Sequence, residues 1–185
     1  MKYENGQILG RYSVLRPVRE EDAAFIVSLR TNPQLSRHIS ATDSSVESQR
    51  QWIRGFLERA AHGLEYYFIV CDLQGRSWGT VRLYDIKDDA CTGGSWLMTQ
   101  GSPLSASFES YLAPMFLAFE VLKLHVMHID VRKENKRVWR WHESCGAVFQ
   151  RETDMDRYYD YPRSIYPGIA EKIDKLLKPF AEQEK

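Results

Sequence analysis

Three β-patterned runs in direct succession, closed by a helical stripe, constrain the fold of this chain most. Tyr66–Cys71 is aromatic and β-branched, Leu73-Gln74-Gly75-Arg76 is a turn sequence, and Ser77–Ile86 alternates Val81 and Leu83 with Arg82 and Tyr84. Lys87-Asp88-Asp89 reads as the next turn and Thr92–Thr99 as the third strand. Connections this short permit only an antiparallel meander. After Gly101 the period changes: Phe108, Tyr111, Leu112, Met115, Phe119 and Leu122 fall on one helical stripe, and His125–Arg132 reads as a strand again. An antiparallel meander therefore meets a helical crossover in one sheet.

The flanking segments extend this order. Tyr12–Pro17 is a short strand, and Asp22, Phe25, Ile26 and Leu29 mark a helix that Asn32-Pro33 stops. Ser44 and Glu47 have capping-box spacing ahead of a second amphipathic helix that ends near Gly63. Asn135–Cys145 is a helix closed by Gly146, Ala147–Glu152 and Arg157–Tyr161 are strands, and Ile169–Phe180 is a last amphipathic helix. Up to Tyr161 the order is β-α-α-β-β-β-α-β-α-β-β. The expected fold is α/β (α+β): a mixed, mostly antiparallel sheet of about seven strands flanked by about four helices. Pro114 conflicts with the stripe that contains it and predicts a kink near Ser110 or a broken helix.

Composition narrows the functional classes. The 185 residues suit a single domain spanning 1–185. Twenty-five basic residues balance 25 acidic ones, so no overall field draws in a nucleic acid. Cys71, Cys91 and Cys145 are far apart and odd in number, against a zinc site or a disulfide framework and in keeping with a reducing cytoplasm. No run reaches the ~18 apolar residues of a membrane span, and Met1–Gly6 lacks the apolar core of a signal peptide. No metal is expected: His125 and His128 lie three apart on a strand and face opposite ways. Trp139 and Trp141, two apart on a helix, read as packing residues.

The segment Asn135-Lys136-Arg137-Val138-Trp139-Arg140-Trp141-His142-Glu143-Ser144-Cys145-Gly146, following a strand that ends in Val131-Arg132, resembles the GNAT acyltransferases. Glu143 and Gly146 match that family's pattern, and His142 stands where many members carry a tyrosine. Thr99–Glu109 lies where the family has its pyrophosphate loop, although the glycine positions of Q/R-x-x-G-x-G/A hold Ser105 and Ser107 here. The resemblance covers roughly Tyr12 to Tyr161.

It implies an N-acetyltransferase with acetyl-CoA as co-substrate. The third meander strand would splay from the strand after the crossover, and pantetheine would pair with main chain at Leu97, Met98 and Thr99. The loop would hold phosphates on Leu104, Ser105, Ala106 and Ser107, with Asn135, Arg137 and Val138 also in contact. The amine would attack directly in a ternary complex, a backbone N–H would stabilise the oxyanion, and His142, as imidazolium, would return a proton to the thiolate. His38, Asp85 and Glu109 are the candidates for the base.

The first two helices look like those of nucleotide-amino-sugar N-acetyltransferases of bacterial surface-glycan biosynthesis. That implies a nucleotide-linked amino sugar as the small-molecule partner, with Arg30, Asn32, His38, Tyr84 and Trp96 at the acceptor site and Arg37 or Arg50 available for a diphosphate. N-terminal acetylation of a protein, as in the ribosomal-protein acetyltransferases, is the alternative within the family. A GNAT-like binding module without catalysis is the alternative outside it. A homodimer is compatible with the family, and nothing in the sequence specifies one.

Overall fold

A computed structural model of the protein describes residues 1–40 and 42–182. In chain order its elements are β1 (Lys2–Glu4), β2 (Gln7–Leu9), β3 (Val14–Pro17), α1 (Ala23–Thr31), α2 (Val46–Ala61), β4 (Tyr66–Cys71), β5 (Ser77–Lys87), β6 (Ala90–Met98), α3 (Leu104–Phe116), β7 (Val126–Arg132), α4 (Lys136–Ser144), β8 (Val148–Glu152), β9 (Asp156–Pro162) and α5 (Tyr166–Glu182). Among the described residues nine strands form one sheet in the order β1-β2-β3-β4-β5-β6-β7-β9-β8. The meander is antiparallel as expected, and the joint between β6 and β7, made by the α3 crossover, is parallel.

The strand count exceeds the expected seven because of an N-terminal hairpin, and the fifth helix is the expected C-terminal one, which starts at Tyr166. Asn5 and Gly6 both take positive φ, 50° and 77°, and turn β1 back onto β2 with Glu4 opposite Gln7. That is the Asn-Gly hairpin turn that the strand twist favours. The next strand starts at Val14 rather than Tyr12, because the N–H groups of Arg11 and Tyr12 donate to the Glu109 carboxylate on α3. The cap of α2 is Ser45, whose hydroxyl accepts from Ser48 N at 3.1 Å, one residue after the expected Ser44.

Two apolar layers cover the sheet. On one face, Ile26 of α1 and Ile53 and Phe56 of α2 pack with Tyr67, Ile69 and Cys71. On the other, α3 and α5 bury Tyr111, Met115, Ile169 and Ile173 against Phe68, Val70, Val81 and Leu83. Pro114 does not break α3: the helix runs on to Phe116 and widens into a π turn at Leu117–Val121. Ala113, Pro114 and Met115 are all buried, so tertiary packing offsets the hydrogen bond that the proline removes.

The parallel joint creates the opening. β6 and β7 pair only through Ala90, Cys91 and Thr92 with Val126, Met127 and His128. Beyond that point β6 continues to Met98 and β7 to Arg132 without pairing to each other. A bulge in β6 marks the departure. Gly94 faces Arg82 and Leu97 faces Thr80, so one residue too many fits between them. Ser95 takes φ 51°, and its carbonyl accepts from Thr80 Oγ1 at 2.8 Å.

Candidate active site

The gap between the splayed strands is a cavity of about 1560 Å³. That exceeds the space one drug-sized ligand needs and suits two ligands side by side. Gly93–Met98 form one lip and Ile129–Arg132 the other, with Val138, Trp141 and His142 of α4 closing the end. Trp96 is anchored there by its Nε1 donating to Ser110 Oγ at 3.0 Å.

The mouth is the start of α3. Gly101, at φ 81°, turns the chain, and Pro103 caps the helix with no side-chain acceptor. The first N–H groups of a helix have no partner within it, so this end presents donors and the positive pole of the helix dipole. Leu104 and Ser107 lie on the cavity wall. Ser105 and Ala106 do not: their side chains are packed inward, 8% and 0% exposed, so only their main chain is available to a ligand. Ser107 Oγ donates to Pro103 O and lies 3.3 Å from Ser102 Oγ, turning the hydroxyl onto the loop itself. Asn135 and Arg137 line the opposite side with Val138.

His142 faces the cavity from α4 and is otherwise buried. Its Nδ1 lies 2.7 Å from Tyr161 Oη, which lies 2.7 Å from Tyr111 Oη. Burial pushes its pKa down to about 4. Near pH 7 the ring is therefore neutral in the free enzyme, where the resemblance implied an imidazolium. The shift has a stability consequence. Between about pH 4 and the ordinary 6.5 the unfolded chain binds the proton and the folded chain does not. The fold should therefore lose stability as pH falls through that window, by up to about 3 kcal/mol, and should be unaffected by this group above pH 7. Thermal melts of the protein and of His142→Phe from pH 7.5 to 4 check this: the wild-type curve should fall more steeply, and parallel curves would refute it.

At the other end Arg30, His38 and Trp52 line the wall beside Arg82 and Tyr84. Arg82 is held between two rings, 5.0 Å from the Trp52 centroid and 4.6 Å from that of Tyr84, and donates to Glu65 at 2.7 Å. Arg30 donates to Thr42 Oγ1 and Ser40 O, tying down the loop before α2. Asp130 is the one carboxylate on the wall among the described residues; its side chain is open to the cavity, and partial desolvation by the walls together with the nearby Asp156 raises its pKa from the ordinary value.

Several expected positions fall elsewhere. Asn32 ends α1 outside the cavity, its Oδ1 accepting from Gln34 N. Arg37 is exposed off the wall, and Arg50 pairs with Glu47. Asp85 is not on the wall, and Glu109 points away from it into the turn before β3, so of the candidate bases only His38 lines the cavity. Trp52, Arg82 and Asp130 were not anticipated at the site. The available signal was an aromatic residue on the polar side of α2 beside paired arginines. Cys71, Cys91 and Cys145 are free and buried. His128 pairs with Asp160 at 2.6 Å, and His125 lies 3.5 Å from Asp89. No group of metal ligands occurs among the described residues.

A sheet opened at its parallel joint, with main chain along one lip and an uncapped helix start at the mouth, suits a protein that holds an extended anionic ligand beside a second one. Residues 13–148 match the Acetyltransferase (GNAT) domain family. The apo structure of FdhC, a nucleotide-linked sugar GNAT, is similar at 34% identity and TM-score 0.80, over 88% of this chain and 93% of that one. A spermidine N-acetyltransferase from Vibrio cholerae, solved with CoA and spermine, shares the fold at 19% identity and TM-score 0.71, over 83% and 97%. So does a ribosomal-protein-S5-alanine acetyltransferase from Vibrio fischeri at 16% and 0.72, over 85% and 96%. None of the curated proteins matches the chain. The chain belongs to the GNAT acetyltransferase family and is an N-acetyltransferase.

Proposed function

We propose that the enzyme transfers the acetyl group of acetyl-CoA to the amino group of a nucleotide-linked amino sugar, by direct attack in a ternary complex. The observation that carries this is the charge of the cavity wall. Among the described residues Arg30, Arg82, Arg132, Arg137 and Arg140 line it with Asp130 as the one carboxylate; Arg82 and Arg132 are paired with Glu65 and Asp156, which leaves Arg30, Arg137 and Arg140 without a carboxylate partner among the ion pairs there. A polyamine or a cationic peptide needs acidic partners, whereas two phosphate-bearing ligands need cations. The similarity to a nucleotide-linked sugar GNAT supports the same class.

In this reading the main chain of Leu97, Met98 and Thr99 receives the pantetheine arm. The helix start at Leu104–Ser107, with Asn135, Arg137 and Val138, receives the CoA phosphates. A main-chain N–H of β6 polarises the thioester carbonyl. The acceptor lies among Arg30, His38, Tyr84 and Trp96, with Trp52 and Arg82 beside them. The amine proton leaves through His38 or Asp130, the histidine and the carboxylate on the wall, and His142 meets the sulfur. The enzyme acts as a single domain. No described helix is long and apolar enough to cross a membrane; the free thiols suit a reducing compartment, and we assign the enzyme to the cytoplasm.

Calorimetric titration with acetyl-CoA, then a thiol-release assay over UDP- and dTDP-linked 4-amino sugars, spermidine and ribosomal-protein peptides, tests the reading. A turnover confined to the sugar nucleotides is expected. Preference for spermidine or a peptide would replace the acceptor, and no binding at millimolar acetyl-CoA would overturn the whole assignment. His142→Phe should lower turnover more than tenfold, since removing one well-aimed donor costs about that or more.

A further inference from the structure

We propose that Tyr161 and Tyr111 lock His142 as the neutral imidazole with its proton on Nε2, so that it meets the departing sulfur as a hydrogen-bond donor and keeps its proton. The lock rests on the proposed acyl transfer only for its use, not for its geometry.

Three groups from three separate elements form one chain. His142 Nδ1 on α4 is 2.7 Å from Tyr161 Oη on β9, and Tyr161 Oη is 2.7 Å from Tyr111 Oη on α3. Tyr161 is fully buried and Tyr111 nearly so. The direction of donation follows from acidity. A phenol O–H is a stronger acid than a neutral imidazole N–H, and an imidazole nitrogen is a stronger base than a phenol oxygen. Tyr161 therefore donates to Nδ1, and Tyr111 donates to Tyr161. The reverse arrangement would send Tyr111's proton to the Cys145 thiol beside it, a weak acceptor. Burial holds both phenols well above their ordinary pKa, so neither becomes a phenolate. With Nδ1 occupied as an acceptor, the neutral ring carries its proton on Nε2.

The transfer step then balances without a proton from His142. The amine nitrogen bonds the acetyl carbon, and the C–S bond breaks with its electron pair going to sulfur. The nitrogen's surplus proton leaves through the acceptor-side base to water. The sulfur departs as thiolate, stabilised by the Nε2–H, and equilibrates with solvent as a thiol of ordinary pKa about 8.5 does. Tyr161 and Tyr111 are positioning residues in this scheme.

Nitrogen-15 spectra of histidine-labelled protein, with His142 assigned by its loss in His142→Phe, read the tautomer directly. The expected result is an Nε2–H ring with an unprotonated Nδ1 in the wild type. In Tyr161→Phe the ring should become a tautomer mixture and kcat should drop about tenfold, with the KM for acetyl-CoA within about twofold. An Nδ1–H ring in the wild type, or an unchanged tautomer in Tyr161→Phe, overturns the lock. The wild-type spectrum decides the matter even if Tyr161→Phe does not fold. An Nε2–H ring combined with normal turnover of His142→Phe would uphold the lock and overturn the role given to His142 in the proposed function.

Discussion

Glu109→Ala should destabilise the fold by about 3–5 kcal/mol, the cost of stranding buried donors, and lower the melting temperature by about 10 °C in a chain of this size. Glu109 is 2% exposed and accepts three hydrogen bonds, from Arg11 N at 2.7 Å, Tyr12 N at 3.0 Å and Ser13 Oγ at 2.6 Å. It is the clamp between α3 and the turn that brings β2 onto β3. Gly10 leaves room for it: a Cβ there would sit 2.6 Å from Glu109 Cδ. Glu109→Gln should be damaging too, because the amide turns two donors toward donors. Because the carboxylate faces away from the cavity, turnover per folded molecule should stay within about threefold of the wild type at low temperature. A melting shift under about 3 °C, or an enzyme that is folded and inactive, would contradict this role.

Gly79→Ala should be the most damaging small change to activity. A Cβ on Gly79 would collide with Leu97 O and Met98 Sδ and lie 3.1 Å from Met98 Cα. Two of those three obstacles are main chain, which cannot swing aside as a side chain does. The lip of the cavity would have to move with respect to β5, and a displacement near 1 Å in a positioning surface costs about a hundredfold in rate. We expect kcat/KM in the thiol-release assay to fall about a hundredfold and stability to fall by about 1–3 kcal/mol. Gly93→Ala is the control. Its Cβ would meet Met127 Sδ at 3.0 Å, the adaptable end of a flexible side chain, so it should cost less stability. Equal losses for the two variants would show that the backbone collision is not what matters.

The sheet was readable because its evidence is local. Turn sequences of three or four residues fix β4, β5 and β6 as neighbours, and the change of period after Gly101 announces the crossover. The Asn5-Gly6 hairpin carries an equally local turn signal, but the strands around it are only three residues long, too short to show an alternating pattern. Pro114 is the opposite case: its effect is decided by burial beside the cavity and the core, where Ala113 and Met115 flank it, and no local pattern records that. The same division holds at the site. The helix from Asn135 to Gly146 could be located from its own residues, and with it the position of His142. Asp130 could not, since on β7 it looks like the solvent-facing residue of an alternating strand until one knows that the strand has left its neighbour. Tyr161 likewise reads as a strand residue; its contact with a histidine 19 positions earlier depends on β9 returning beside β7.

The lip of the cavity is largely main chain, and this bears on inheritance. A surface made of peptide groups passes down with the fold and not with the letters of the sequence, because almost any side chain can be exchanged while the N–H and C=O groups stay where the bulge aims them. Acetyltransferases whose names give quite different acceptors, a ribosomal-protein alanine and spermidine, share this architecture at only 16% and 19% identity. The far end, around Arg30, Trp52 and Arg82, is lined by long side chains instead. A wall of that kind changes with every substitution, as a main-chain lip does not.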